Sequence, residues 1–296
     1  LPAVQHATFY TAFLLCLTGL LGVTITGDAF NLFVFLEISS LSSYVLIALG
    51  RDRRALTAAF QYLVMGTIGA TFIVIGIGLL YMVTGTLNMA DLAQRLPDMA
   101  GSRTVLVAFA FLTVGACLKL ALFPLHQWLP NAYAYAPSAV TGFLAATATK
   151  VSVYILLRFF FTVFGADYTV ETLALEKLLV PLAVVAILVC STVAIFQDDV
   201  KRMLAYSSLA QIGYIVLGIG MISTTGLTAG IVHLFNHAMM KGGLFLALGC
   251  VFLRIGSVRL DAMQGLGRAM PWTMFAFVLG GLSVIGVSYT VWRLFT

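Results

Sequence analysis

Charge is what this 296-residue sequence has least of. Asp, Glu, Lys and Arg together make up 9% of it, against about a quarter in ordinary soluble domains. Cysteine is sparse as well: Cys16, Cys117, Cys190 and Cys250 stand far apart within apolar stretches. They have no metal-ligand spacing and form no cluster that could hold iron and sulfur, so they read as small packing residues. No glycine-rich nucleotide loop is present, and nothing marks a flavin or haem site. The expectation is no cofactor, no metal and no bond chemistry of the chain's own. The sequence begins at Leu1, without methionine and without the basic flank or cleavage site of a signal peptide. That start predicts that upstream sequence is missing.

What fills the chain instead is hydrophobic. Hydrophobic residues make up 61%, and mean hydropathy is +1.05. Nine apolar segments are long enough to cross a bilayer, at roughly 7–26, 29–49, 55–84, 104–123, 138–164, 177–196, 201–222, 227–253 and 271–292. The class is therefore an all-α polytopic membrane protein of about nine transmembrane helices. The net charge of +5 does not point to nucleic acid. Lys119, Lys150 and Lys241 lie inside apolar segments, and the other basic residues gather in alternate loops. One set of loops holds Arg51, Arg53, Arg54, Lys201, Arg202, Arg254, Arg259 and Arg268. The opposite set holds Arg95, Arg103 and Lys177, with Asp91, Asp98, Asp167, Glu171 and Glu176. The basic set faces the cytoplasm by the positive-inside rule.

Charges at membrane depth are costly, and they mark ion paths. From Cys117 to Pro137 the chain reads CLKLALFPLHQWLPNAYAYAP, with Lys119 followed by Pro124, Pro130 and Pro137, and Lys150 in the next segment. Proline frees backbone groups that only protein or water can satisfy at that depth. A broken helix beside a lysine is a transporter pattern. Glu37 lies mid-segment, followed by Ser39, Ser40, Ser42 and Ser43, which suit close packing or hydration. His233, His237 and Lys241 recur every fourth residue, hence along one helix face. The spacing lacks the glutamate of a metalloprotease helix, which leaves a hydrated relay or satisfied packing. His126 sits at the break, Asp28 is either a helix cap or a path entrance, and Arg158 reads as an interfacial anchor or structural partner.

A weak repeat also shows. Leu56-Thr57-Ala58 with Leu63 matches Leu227-Thr228-Ala229 with Leu234, and Ser39-Ser40-Leu41 with Tyr44 matches Ser207-Ser208-Leu209 with Tyr214. These matches pair the second segment with the seventh and the third with the eighth. The repeat is five helices long, and an odd number inverts the second copy in the membrane.

Four ordered motifs carry a resemblance: Gly27-Asp28 through Asn31-Leu-Phe33 to Glu37; Lys119 through Pro124, His126, Trp128 and Pro130 to Pro137; Asp199-Val-Lys201-Arg202 to Tyr206-Ser207-Ser208; and His233-Leu-Phe-Asn236-His237 to Lys241. With these the chain resembles the antiporter-like subunits of the multisubunit sodium/proton antiporters, the D-type most of all, and those of respiratory complex I and membrane-bound hydrogenases. The resemblance implies that Glu37 pairs with Lys119, that Lys150 is the next relay group, and that His126, His233, His237 and Lys241 continue a proton path. Family members have about fourteen helices; this chain matches the fourth to the twelfth, so the sequence is expected to be truncated at both ends. After Gly286-Val287 it departs from the family, offering no lysine or acid as the terminal group.

The resulting reading is one transmembrane antiporter-like domain over 1–296, with repeat one at about 7–164 and an incomplete repeat two at about 177–296, each carrying a broken helix. It moves protons through a buried Glu/Lys/His relay, with sodium as the exchanged ion, and works with other membrane subunits in a multi-pass cytoplasmic membrane complex. A redox-driven proton-pumping subunit is the alternative within the family. A quinone-binding subunit and a purely structural anchor are the rivals outside it. Burial disfavours a lysine's charge while a nearby carboxylate favours it. Approach and separation of Glu37 and Lys119 would thus hold and release a proton. The membrane potential supplies ~2.3 kcal/mol per charge per 100 mV, enough to bias such a switch.

The basic asymmetry makes a topological prediction. A cysteine replacing Arg53 should react with an impermeant thiol reagent from the cytoplasmic side alone; labelling from outside sealed cells would reverse the orientation.

Overall fold

The computed structural model describes residues 3–99, 101–166, 168–169 and 175–285, with side chains from His6 onward. Asp167, Glu171 and everything after Ile285, including the departure after Gly286-Val287, lie outside the described residues. The described chain is helical throughout: α1 (Ala3–Ile25), α2 (Ala29–Ala48), α3 (Arg54–Thr84), short α4 (Met89–Arg95), α5 (Arg103–Leu120), short α6 (Trp128–Tyr135), α7 (Ser138–Leu157), α8 (Glu176–Ile195), α9 (Val200–Gly220), α10 (Thr224–Ile255), short α11 (Leu266–Ala269) and α12 (Pro271–Val284). Eight of these are long and apolar enough to cross a membrane. The ninth segment of the sequence is represented by α12, an apolar helix of 14 residues as far as it is described. This is a multi-pass membrane protein.

Local chemistry sets the helix ends. Asp28, Asn88, Asp199 and Ser223 each accept a hydrogen bond from a backbone N–H of the helix they precede, which satisfies donors left orphaned at an N-terminus. Asp28 is thus a cap in this fold. Arg95 bonds Asp91 one turn back and donates to the Thr84 carbonyl, covering the end of α3. In the Arg51–Arg54 loop the Asp52 carboxyl is held below the usual range by hydrogen bonds from Arg54.

The most ordered feature of the topology is a clasp made twice. Ala29 N–H donates to Leu87 O and Met89 N–H to Gly27 O, both at 2.8 Å. Val200 N–H donates to Val258 O and Leu260 N–H to Asp198 O, both at 3.0 Å. Every residue of the second clasp stands 171 positions after its counterpart: Ala29 and Val200, Leu87 and Val258, Met89 and Leu260, Gly27 and Asp198. The caps Asp28 and Asp199 obey the same offset. So do Gly85 and Gly256, which end the two longest helices, α3 and α10, at φ 71°. That left-handed geometry favours glycine. Each clasp fastens the start of one helix (α2, α9) to the loop leaving the long helix that follows it. Because α2 is the second crossing and α9 the seventh, the two clasps lie at opposite membrane faces.

The break between α5 and α6 has a specific construction. Leu122 N–H bonds Cys117 O, Ala121 N–H bonds Leu118 O, and Ala121 takes φ 60°. This is a Schellman end, which satisfies carbonyls that would otherwise be bare in an apolar setting. The Trp128 indole then donates to Leu118 O at 3.1 Å. Its ring stacks on Tyr62 at 3.9 Å, and Tyr62 meets Tyr44 edge-on. An aromatic column therefore ties α2 and α3 to the second half of the broken helix. Tyr133, fully buried, donates to Leu144 O, and Thr141 donates back to Tyr133 O, which binds α6 to α7.

Between crossing helices water exclusion offers no driving force, so close backbone packing carries the association. α3 and α5 meet at Gly69 and Gly115, where a Cβ on Gly115 would lie 2.7 Å from the Gly69 carbonyl oxygen. Gly115 is one turn before Lys119. Gly115→Ala should destabilise the protein by about 1–3 kcal/mol, read as a lower melting midpoint of the detergent-solubilised assembly. An unchanged midpoint would show that α3 and α5 can part without cost.

Candidate functional site

Lys119 lies in the last turn of α5, just before the break, with its side chain 2% exposed. Its Nζ donates to Glu37 Oε1 and to Ser40 Oγ, each at 2.8 Å. Glu37 and Ser40 are three residues apart on α2, so one face presents both. The Ser40 hydroxyl gives its own proton to Leu36 O at 2.9 Å, which leaves its lone pairs to accept from Lys119. Ser39, Ser42 and Ser43 also bond back to carbonyls of their own helix. The serine cluster thus keeps α2 narrow and satisfied, and only Ser40 reaches the lysine. Removing one partner of a buried pair leaves an uncompensated charge, at about 3–5 kcal/mol.

Lys150, in α7, donates to Ala145 O at 2.5 Å and to Thr149 Oγ1 at 3.3 Å. Lys241, in α10, has no exposed surface and donates to Ser207 Oγ at 2.8 Å and Leu204 O at 3.1 Å, both on α9. His233 and His237 project from the same face of α10, their rings nearly parallel with centroids 6.2 Å apart. His233 Nε2 is 2.6 Å from Gln211 Oε1 on α9. His237 is fully buried, and neither ring nitrogen has a hydrogen-bond partner among the described residues. His126 stands in the break with its ring against Phe123, centroids 5.1 Å apart.

The structure therefore joins Glu37 with Lys119 directly, and sets His233, His237 and Lys241 along one face. Among the described residues no hydrogen bond links Lys119 to Lys150, Lys150 to either histidine, or His126 to Lys119. Lys201 differs from its reading as a loop charge. It is buried at 6% exposure and donates to Ala136 O at 2.9 Å, fastening α9 to the end of α6. Burial follows from its position on the first turn of α9, packed beneath α6. Arg158 donates to the Tyr154 hydroxyl, which itself donates to Thr24 O at 2.9 Å, so it serves the α1–α7 contact. Sequence reasoning missed Gln211 and the contact made by Ser207. Their signal was present: they stand four apart in an apolar helix, the spacing that puts polar groups on one face.

Comparison with known proteins follows the same lines. The profile described as "NADH:quinone oxidoreductase/Mrp antiporter, TM" matches residues 26–292. The N-type subunit of the NADH-quinone oxidoreductase of Desulforudis audaxviator is 47% identical over 287 residues, 97% of this chain and 57% of that protein. The D-type subunit of the Na(+)/H(+) antiporter of Alkalihalophilus pseudofirmus is 33% identical over 280 residues, 94% of this chain and 56% of that one. Among solved structures, a chain of the membrane-bound sulfane sulfur reductase, an archaeal respiratory membrane complex, superposes with a TM-score of 0.85 at 37% identity, covering 93% of this chain and 56% of its own. The chain thus spans a little over half the length of the relatives it matches. A profile match over nearly its whole length, with identities above 30% to both kinds of subunit, makes it a member of the NADH:quinone oxidoreductase/Mrp antiporter transmembrane family.

Proposed function

We propose that this chain is the proton-translocating core of a subunit in a multisubunit cation/proton antiporter of the cytoplasmic membrane. The observation that carries the reading is the pairing of buried Lys119 with partly exposed Glu37 at 2.8 Å beside a broken helix. An ion pair there costs desolvation on both partners, and hydrophobic residues of similar volume would often do as well or better for stability alone. Its value lies in having two states. Paired, Lys119 keeps its proton; separated from Glu37, a desolvated lysine releases it. Lys150 is the next acceptor, and water completes the intervals from Lys150 to His233, His237 and Lys241. A buried imidazole without a protein partner among the described residues, as His237 is, suits a site where water carries the contact. His126 lines the break at the Lys119 end. The molecule forms one domain of two opposed halves, about 7–164 and about 177–296. Other membrane subunits are its partners, and protons and sodium its ions.

A redox-driven setting is the second reading, favoured by the 47% identity to an NADH-quinone oxidoreductase subunit and the likeness to a respiratory reductase subunit. The relay is the same in both. Only the neighbour that moves Glu37 against Lys119 differs: an ion gradient in one, a redox module in the other.

Two outcomes test the reading, measured as proton flux in vesicles holding the complete complex at matched expression. Lys119→Ala should reduce flux to background and Glu37→Gln should lower it about tenfold or more, one lost charge–charge contact being worth over 1.4 kcal/mol. Glu37→Asp should retain part of it. Lys119→Ala conducting like the parent would mean that the path runs elsewhere.

His233→Ala should weaken flux while assembly stays normal, since a relay group is lost at modest packing cost. Unchanged flux at normal expression would leave His233 as a packing residue.

A further inference from the structure

We propose that Gln211 is a positioning residue that fixes the tautomer of His233, so that the imidazole presents Nδ1 as its proton-accepting atom. The inference rests on the proton-translocating reading above and names a residue that reading does not use. Gln211 Oε1 is an acceptor only, and it lies 2.6 Å from His233 Nε2. With the amide oxygen on this side, that nitrogen carries the proton of the contact. In the neutral ring the lone pair then belongs to Nδ1. Gln211 is buried, at 8% exposure, in a helix packed against both α8 and α10.

A second observation points to the same role. The clasps set the register at 171 residues, which replaces the 168-residue match of Ser40 with Ser208 read from the sequence and makes Gln211 the counterpart of Ser40, the hydroxyl that accepts from Lys119. The same register position, one on α2 and one on α9, therefore supplies the neutral acceptor for a titratable group in each half. The halves differ at the neighbouring position, where Glu37 has Ser208 as its counterpart, and Ser208 bonds Leu204 O of its own helix. No carboxylate is available at that position to orient His233, and Gln211 takes that task as a neutral group. A neutral partner sets direction without adding a charge that would hold the imidazolium, which suits a group that must take up and release a proton.

Other groups near His233 are Tyr214 on α9, edge-on at 6.4 Å, His237 on its own helix and Lys150 on α7, with Lys241 one turn beyond His237. α12 brings no titratable side chain in Pro271–Val284. All the charged neighbours are cationic when protonated, so a carboxylate at position 211 would be the only anion beside the ring.

The test uses the complete complex labelled with 15N-histidine. This chain contributes four histidines, and His233→Ala assigns the relevant signal. The parent should show His233 neutral with Nε2 protonated, Gln211→Leu a mixture of tautomers, and Gln211→Asn a partial hold. Proton flux should fall about tenfold in Gln211→Leu, the lower end of what losing a histidine's orienting partner costs. Gln211→Glu should move the pH of half-maximal flux upward by about one unit, because an adjacent carboxylate keeps the imidazolium protonated to higher pH. A parent signal from the Nδ1-protonated form would overturn the inference, as would Gln211→Leu with the parent's tautomer and flux. If His233→Ala transports normally, the relay reading of His233 fails, yet the nitrogen spectrum still decides whether Gln211 sets the tautomer.

Discussion

A buried lysine paired with a partly exposed glutamate constrains most of what surrounds it. Glu37 and Lys119 stand 82 residues apart in sequence, and their 2.8 Å contact joins α2 to α5 beside the crossing where α3 and α5 approach at backbone distance. Glycines at the α3–α5 crossing permit that approach. Serines that fold their hydroxyls back onto α2 keep its surface narrow and its polar groups satisfied. The Schellman end at Ala121 lets α5 stop just after Lys119 with the Cys117 and Leu118 carbonyls satisfied. Trp128 adds a second donor on Leu118 O and stacks into the aromatic column that fixes the second half-helix. Each feature answers one requirement: a charge in an apolar interior must be paired, and the groups around it must be satisfied.

The second half of the molecule uses the same frame for different chemistry. The clasp that seats α2 recurs at α9 with the same pattern of donors and acceptors, 171 residues on. Within that common frame the acidic position has become Ser208, and the titratable groups have moved to the long helix α10 as His233, His237 and Lys241. Lys201 spans the two halves, its ammonium on the Ala136 carbonyl at the end of the broken helix. This hydrogen bond is part of the packing of α6 against α9, which joins the broken helix to the helix that bears Ser207 and Gln211.

Much of this was legible from the residues. Apolar runs of about twenty marked the crossings, because a bilayer imposes that length. Pro124 after Lys119 marked the break, because proline cannot complete a helix and a charge cannot stand alone at that depth, while Pro130 fits the first turn of α6, where its missing N–H is no loss. The four-residue spacing of His233, His237 and Lys241 put them on one face in advance of any coordinates. Asp28 stood open between two roles, and its hydrogen bond from Asn31 N–H makes it a cap.

The sequence by itself determined which segments are apolar enough to cross a membrane, where one of them breaks and that Lys119, Lys150 and Lys241 lie inside them, since these follow from local composition weighed against the cost of placing polar groups in hydrocarbon. Only the tertiary structure decided partners. That Ser40 rather than Ser39 receives Lys119, that Lys201 is buried on Ala136 O, and that Gln211 holds His233 all depend on how helices far apart in sequence are rotated against each other. Local periodicity fixes a residue's face on its own helix, but which helix that face meets is set by close packing between helices, and that is a property of the assembled fold.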